Sequence, residues 1–218
     1  MNNLDRFIKN GELVKKSINT TKNNYRKYDP GWYLYRKITS YNNIDSKFTD
    51  EFIELIYVTL IAWNMNSRGA KLSDYNVFKN SIIRNKNAIK NLSEYRLQKL
   101  SSEKLNKILM EDGFELFSNL DLVADTKPRL VTYSKTLHFL LPNLFVPIDR
   151  KYTMKYFYGH TNIPKNVERQ YRRLLDITEE YRLFASLVKI SKYKDTVWNT
   201  NIPKTIDNMI IGFMSSNI

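Results

Sequence analysis

The sequence contains no cysteine in its 218 residues. That absence excludes disulfides, thiolate zinc sites, iron–sulfur clusters and thiol nucleophiles together. Histidine is nearly as scarce: His138 and His160 stand alone, too few for a metal centre built on several imidazoles. No glycine-rich phosphate loop and no dinucleotide fingerprint occurs, so no cofactor is implied. Long apolar runs are missing as well. The most apolar stretch, Phe52 to Trp63, carries Glu54 and falls short of the about 18 residues that a membrane span needs. Residues 1–20 lack the apolar centre of a secretion signal. The expectation is an intracellular protein, in the cytoplasm or on the nucleoid, with no membrane partner.

Acidic residues are the other shortage. Against 35 lysines and arginines stand 22 aspartates and glutamates, a formal charge of +13 and a pI near 9.7. Such an excess favours a polyanion as partner, chiefly nucleic acid, with DNA ahead of RNA. A hydrophobic content of 42% is enough for a core and argues against wholesale disorder. No segment alternates apolar and polar residues long enough to build a sheet. The expected fold is all-α: one compact multi-helix bundle over residues 1–218, or two helical lobes, 1–125 and 126–218, with a cleft between them.

Residues 4–20 carry a weak helical pattern interrupted by Gly11. In the next segment Lys22, Arg26, Lys27, Arg36 and Lys37 are interleaved with Tyr25, Tyr28, Trp32, Tyr33 and Tyr35. Cations grip phosphates and ring faces stack on bases; equally, Trp32 and Tyr35 read as the inner face of a helix opened by Asp29-Pro30. Residues 49–65 form the strongest helix, capped by Thr49 and apolar on most of its circumference, which predicts the central buried helix. It exits through Trp63, Asn64, Met65, Asn66, Ser67, Arg68 and Gly69. There Arg68 would meet an anion, Asn64 or Asn66 would donate to a base or phosphate, and Gly69 would supply a positive-φ stop. An ordinary polar helix exit has the same composition. Residues 73–92 read as one amphipathic helix behind a Ser73 cap. Residues 74–105 have a net charge of +4, which fits a phosphate-facing side or a solvated lysine face. A helix capped by Ser101 or Ser102 and broken near Gly113, a long helix over 165–190 and a last one started by Pro203 complete the pattern.

The stretch 129–158, RLVTYSKTLHFLLPNLFVPIDRKYTMKYFY, concentrates the chemistry. Leu137, Leu140 and Leu141 share a helical stripe that Pro142 ends. Asp149 follows Pro147-Ile148, where a carboxylate caps the next helix and complements its positive end. The chain between Lys135 and Asp149 is long enough to fold back and bring the two together.

The run S-K-T-L-H-F-L-L-P-N-L-F-V-P-I-D resembles the core of the helix-hairpin-helix DNA glycosylases, in which a hairpin leads into a lysine-bearing helix and Pro-x-Asp opens the next. The resemblance implies an all-helical fold, DNA as substrate, an aspartate essential for base excision at Asp149 and, as in the lyase members, a nucleophilic lysine at Lys135. Val131, Thr132 and Tyr133 occupy the positions of the hairpin glycines, and the lysine-to-aspartate spacing is a few residues shorter than in the family. Chemically, a carboxylate stabilises the oxocarbenium ion or activates water during N-glycosidic cleavage, and a desolvated lysine forms a Schiff base with the sugar. A flipped base needs a pocket of aromatics and amides. Trp63, Asn64, Tyr133 and His138 are its candidates, with Asn66, Arg68, Ser134 and Arg150 completing the substrate-binding set. Ser134, His138 and Asp149 also name the members of a hydrolase triad, but no Gly-x-Ser-x-Gly elbow accompanies them. The structural alternative makes Asp149 a plain cap, Lys135 a solvated lysine and His138 a core histidine. The protein would then be a non-catalytic nucleic-acid binder or a helical interaction module.

Overall fold

A computed structural model of the chain describes residues 4–25, 28–67, 71–125 and 127–216. All regular structure in these residues is helical, apart from one isolated antiparallel bridge between Leu72 and Val123. No helix among them is long and apolar enough to cross a membrane.

In chain order the helices are α1 (Asp5–Ile8), α2 (Gly11–Asn24), α3 (Pro30–Thr39), α4 (Asp50–Ala62), α5 (Tyr75–Arg84), α6 (Lys86–Ser93), α7 (Ser102–Ile108), α8 (Phe114–Asn119), α9 (Leu130–Leu140), α10 (Lys155–Tyr158), α11 (Val167–Leu187) and α12 (Ile202–Ser215). Several starts follow from capping chemistry. Side-chain oxygens of Asp29, Thr49, Ser101, Asn166 and Asn201 each accept a backbone N–H from the first turn behind them, satisfying donors that the helix itself leaves unpaired. Pro30 and Pro203 lie in the first turns of α3 and α12, where no N–H is missed. Gly11 opens α2.

The helix expected over residues 73–92 is two, parted at Asn85, and the cap is Asp74 rather than Ser73. The reason lies in the bridge. Ser73 N–H donates to Leu122 O at 3.2 Å, and Ser73 O accepts the Tyr57 hydroxyl at 3.0 Å. Ser73 therefore belongs to the strand-like crossing, and Asp74 takes over the cap through Asn76 N.

α4 is not the buried centre of the bundle. Phe52, Ile53, Ile56 and Leu60 are buried, but Val58 and Ile61 face solvent. The enclosed helices are α9, buried from Leu130 to Leu140, and α12, buried from Ile202 to Ile210. α9 carries polar residues inward and satisfies them locally. The Thr136 hydroxyl donates to Thr132 O at 2.9 Å. The Ser134 hydroxyl donates to Val131 O at 3.0 Å and accepts Ile148 N–H at 3.1 Å. Two carbonyls at the end of α9, Phe139 O and Leu140 O, accept the ammonium of buried Lys47 at 3.1 and 2.9 Å. That position suits a cation, because unpaired carbonyls gather there.

α12 lies directly against α2. The contact is close enough that a Cβ on Gly212 would stand 1.8 Å from Ser17 O and 2.5 Å from Thr21 Oγ1. The Thr21 hydroxyl also donates across to Asn208 O. Backbone cannot move aside as a side-chain tip does, so any larger residue must push the helices apart.

Gly212→Ala is expected to destabilise the fold by about 2 kcal/mol or more, despite the better helix propensity of alanine. Urea denaturation of the variant beside the parent chain checks this; equal midpoints would mean that α2 and α12 are not in close contact.

Candidate active site

The two residues singled out by charge and spacing meet. Lys135, in the second turn of α9, places Nζ 3.4 Å from Asp149 Oδ2. Lys135 is 7% exposed, whereas the Asp149 side chain is 32% exposed. Asp149 splits its oxygens between two tasks. Oδ1 accepts Lys151 N–H at 2.7 Å and Tyr152 N–H at 3.3 Å, capping the π-helical turn Arg150–Met154 that leads into α10. Its own N–H donates to Thr153 Oγ1 at 3.1 Å, closing the turn. Oδ2 is left for the lysine. At 3.4 Å the contact is longer than the about 2.7–2.9 Å of a tight charge-assisted bond.

Below the ammonium lies an aromatic floor. Lys135 Nζ stands 5.1 Å from the ring centroid of Trp63, within cation–π range. Trp63 stacks with Tyr35 at 6.1 Å between centroids and meets Phe139 at 5.3 Å. Close packing here again requires glycine: a Cβ on Gly31 would stand 2.3 Å from Trp63 Nε1.

A second charge pair, which the sequence reading missed, lies beyond this floor. Lys204 and Asp207 of α12 are both buried and 2.6 Å apart, and Lys204 Nζ is 5.6 Å from the Tyr35 ring. Burial alone would lower the Lys204 pKa, but Asp207 beside it prevails and holds the ammonium above its ordinary range. Burial raises the Asp207 pKa, and Lys204 beside it only partly opposes this, with smaller contributions from Asp149 and Lys135. The signal was present as Lys-x-x-Asp inside an otherwise apolar helix, a spacing that puts both on one face.

The other candidates divide. Asn64 is the left-handed C-terminal residue of α4, with φ +60. Its N–H donates to Ile61 O and Met65 N–H to Leu60 O, both at 2.9 Å, so Asn64 stops the helix in the manner expected of Gly69. Asn66 Oδ1 accepts Leu72 N–H at 3.1 Å, and Asn66 lines a separate cleft of about 950 Å³ that also holds Lys71, Lys127 and Arg129. Arg68 and Gly69 lie outside the described residues. Tyr133 is enclosed; its hydroxyl donates to Leu120 O at 2.6 Å and accepts Leu122 N–H at 3.2 Å, so it fastens the connection before α9 rather than facing a ligand. Ser134 is fully buried within the hydrogen bonds already described, and no triad is assembled. Arg150 is exposed and donates through Nε to Thr161 O at 3.0 Å. Val131, Thr132 and Tyr133 lie within the opening turns of α9, not in a turn before it.

His138 is 1% exposed and sits one turn beyond Lys135. Nδ1 lies 2.9 Å from Phe145 O, so it carries the proton, and Nε2 lies 3.4 Å from the Tyr35 hydroxyl. The same hydroxyl is 3.1 Å from Thr200 Oγ1. Burial pushes the imidazole pKa down to about 3; the Phe145 carbonyl opposes this, and the Lys204 and Lys47 charges reinforce it. His138 is therefore neutral at physiological pH.

The aromatics of residues 25–35 have separate fates. Tyr35 is buried. Trp32 is half-buried in a column with Trp198 and Tyr25, at centroid distances of 4.7 and 4.1 Å, and Arg36 lies 5.0 Å from its ring. Tyr33 is exposed. Arg26 and Lys27 lie outside the described residues. Along residues 74–105, Lys79, Arg84 and Lys90 pair with Asp50, Asp121 and Asp45, which neutralises part of the expected basic side. Among the described residues no cluster of three His, Asp or Glu side chains is placed to hold a metal ion. Comparison with protein-family models, curated proteins and solved structures finds no match to this chain.

The neutral His138 sets an acid sensitivity. Between pH 6.5 and about 3 the unfolded chain binds a proton at this position that the folded chain does not. Stability is therefore expected to fall as pH drops through this window. Thermal denaturation at pH 7, 6 and 5 checks it: His138→Gln should flatten the decline by up to about 1.4 kcal/mol per pH unit, and an unchanged slope would mean that the imidazole is protonated when folded.

Proposed function

We propose that the protein is a DNA-binding helical protein that excises bases, with Lys135 and Asp149 as its chemical pair: a base-excision glycosylase with lyase activity. The observation that carries this reading is the approach of the buried Lys135 amine to the half-exposed Asp149 carboxylate, across 3.4 Å and over the Trp63 ring. The formal charge of +13 adds an electrostatic reason for a polyanionic substrate.

In this reading the Asp149 carboxylate stabilises the positive charge that grows on the sugar as the N-glycosidic bond breaks. The departing base takes up a proton from the Lys135 ammonium, the amine so freed attacks C1′, and the proton it sheds on bonding passes to Asp149 Oδ2. Ring opening leaves a Schiff base between Lys135 and the sugar. Trp63 supplies the face over which the cation is held. His138, neutral and bonded on both nitrogens, is not an acid or base in this scheme but part of the wall behind Lys135. The capping by Asp149 Oδ1 is compatible with chemistry at Oδ2, because the cap fixes the carboxylate plane. A cap alone is the competing account, and under it the chain binds nucleic acid without cutting it.

Two experiments test this. Affinity for duplex DNA should fall about tenfold or more between 50 and 200 mM salt; salt-independent or absent binding contradicts the reading. Cleavage should occur on at least one duplex in a panel carrying uracil, 8-oxoguanine, alkylated bases or abasic sites. Asp149→Asn keeps an oxygen for the cap and is expected to lower cleavage by about a hundredfold or more while DNA binding remains. Cleavage undiminished in Asp149→Asn rejects the assigned role, and binding without cleavage across the panel supports the non-catalytic alternative.

A further inference from the structure

A cavity of about 450 Å³ is lined in part by Tyr35 and His138, and its lining does not include Lys135 or Asp149. Its walls come from the end of α3, residues 41–47, the end of α6 with Tyr95 and Arg96, the proline turn after α9, and Thr200–Asn201 before α12. The proline turn is fastened to the residues after Arg96 by the bond from Leu97 N–H to Asn143 O at 2.8 Å, so the rim is held by backbone. The volume falls within the range of pockets that enclose small molecules.

The chemistry of the lining is one-sided. Lys47 and Arg96 contribute positive charge, and among the described residues no aspartate or glutamate lines the cavity. Asparagines 42, 43, 143 and 201 supply amides; Tyr41 and Tyr95 supply ring surface. Lys47 is the telling residue. It is 6% exposed, and among the described residues no carboxylate lies within ion-pairing distance of it. Two of its three protons go to Phe139 O and Leu140 O. A buried ammonium without a counter-charge is costly, and burial pushes its pKa down to about 8. An anion entering the cavity would offset that cost and use the remaining donor. Arg96, exposed at the same cavity, offers a planar fork that matches phosphate oxygens.

We propose that this cavity binds a nucleoside monophosphate, its phosphate held by Lys47 and Arg96 and its base set against Tyr41 and Tyr95 within reach of the asparagine amides. The site is separate from the Lys135–Asp149 pair and does not depend on the reading of that pair. It shares a wall with it: Tyr35 and His138 line the cavity, and the Tyr35 ring is stacked on the Trp63 that underlies Lys135.

The test is calorimetric titration of the full chain with AMP, adenosine and inorganic phosphate in parallel. AMP should bind saturably, about tenfold or more tightly than adenosine or phosphate alone. Lys47→Met preserves length and removes the charge; it should weaken AMP about tenfold or more. Because Lys47 also ties the end of α9, Arg96→Gln at the exposed rim provides a variant that leaves the core untouched, and it should weaken AMP severalfold. Asp149→Asn should leave AMP affinity unchanged, which separates this site from the proposed excision pair. The inference is overturned if AMP shows no saturable binding at millimolar concentration, if adenosine binds as tightly as AMP, or if Arg96→Gln leaves AMP affinity at the parent value.

Discussion

A helix that is buried along its whole length yet carries a lysine, a histidine and several hydroxyls must find a partner for each polar group. α9 is that helix, and the surrounding structure answers its demands. Ser134 takes the N–H of Ile148 and so fixes the returning chain at the residue before Asp149. His138 takes its place through the Phe145 carbonyl on the same returning segment. Tyr133 reaches the opposite way and fastens residues 120–122. Lys47 comes from outside to satisfy the last carbonyls. With those bonds made, the connection from Leu141 to Ile148 has little freedom left, and Asp149 arrives where Lys135 can meet it. The charge pair is thus a consequence of satisfying a buried polar helix, which is also why a single unmet group there would be expensive.

The same logic accounts for the molecule's uneven electrostatics. Its positive charge is not spread evenly over free lysines: Lys79, Arg84 and Lys90 pair with acids on neighbouring elements, while Lys47, Lys135 and Lys204 are drawn into the interior. Exposed pairs contribute little stability each. The interior lysines matter more, because each is positioned by packing. Lys135 and Lys204 approach the Trp63–Tyr35 stack by one ring each, and each has its own aspartate. Lys47 lacks one.

Much of the local structure was legible in the sequence because it depends on neighbours along the chain. Thr49 read as a cap, Ser101 or Ser102 as another, of which Ser101 is the one, Pro30 and Pro203 as first-turn residues and Pro142 as a stop, and each acts within a few residues of itself. The all-helical class followed from periodicity in the same way. What failed was anything set by distant partners. Periodicity shows that α4 is apolar on most sides, but not that Val58 and Ile61 would be left facing solvent. Ser73 looked like a cap until the bridge to Leu122–Val123 claimed its backbone. Asn64 or Asn66 was read as a donor and Gly69 as the positive-φ stop, but it is Asn64 that takes the left-handed turn. The approach of Lys135 to Asp149 was inferred from chain length and resemblance; the Lys204–Asp207 pair is local, at i,i+3, but its burial, like the enclosure of Lys47, depends on contacts from across the chain that no local pattern encodes.

The account centres on the Lys135 amine being the group that reacts with a sugar held over Trp63. The most direct measurement is to incubate the protein with an abasic-site duplex in the presence of borohydride, digest the trapped complex and locate the modified peptide by mass spectrometry. The account predicts a reduced sugar adduct on Lys135 within residues 130–140. An adduct confined to surface lysines, or none on this peptide while an established lyase is trapped in parallel, would contradict it.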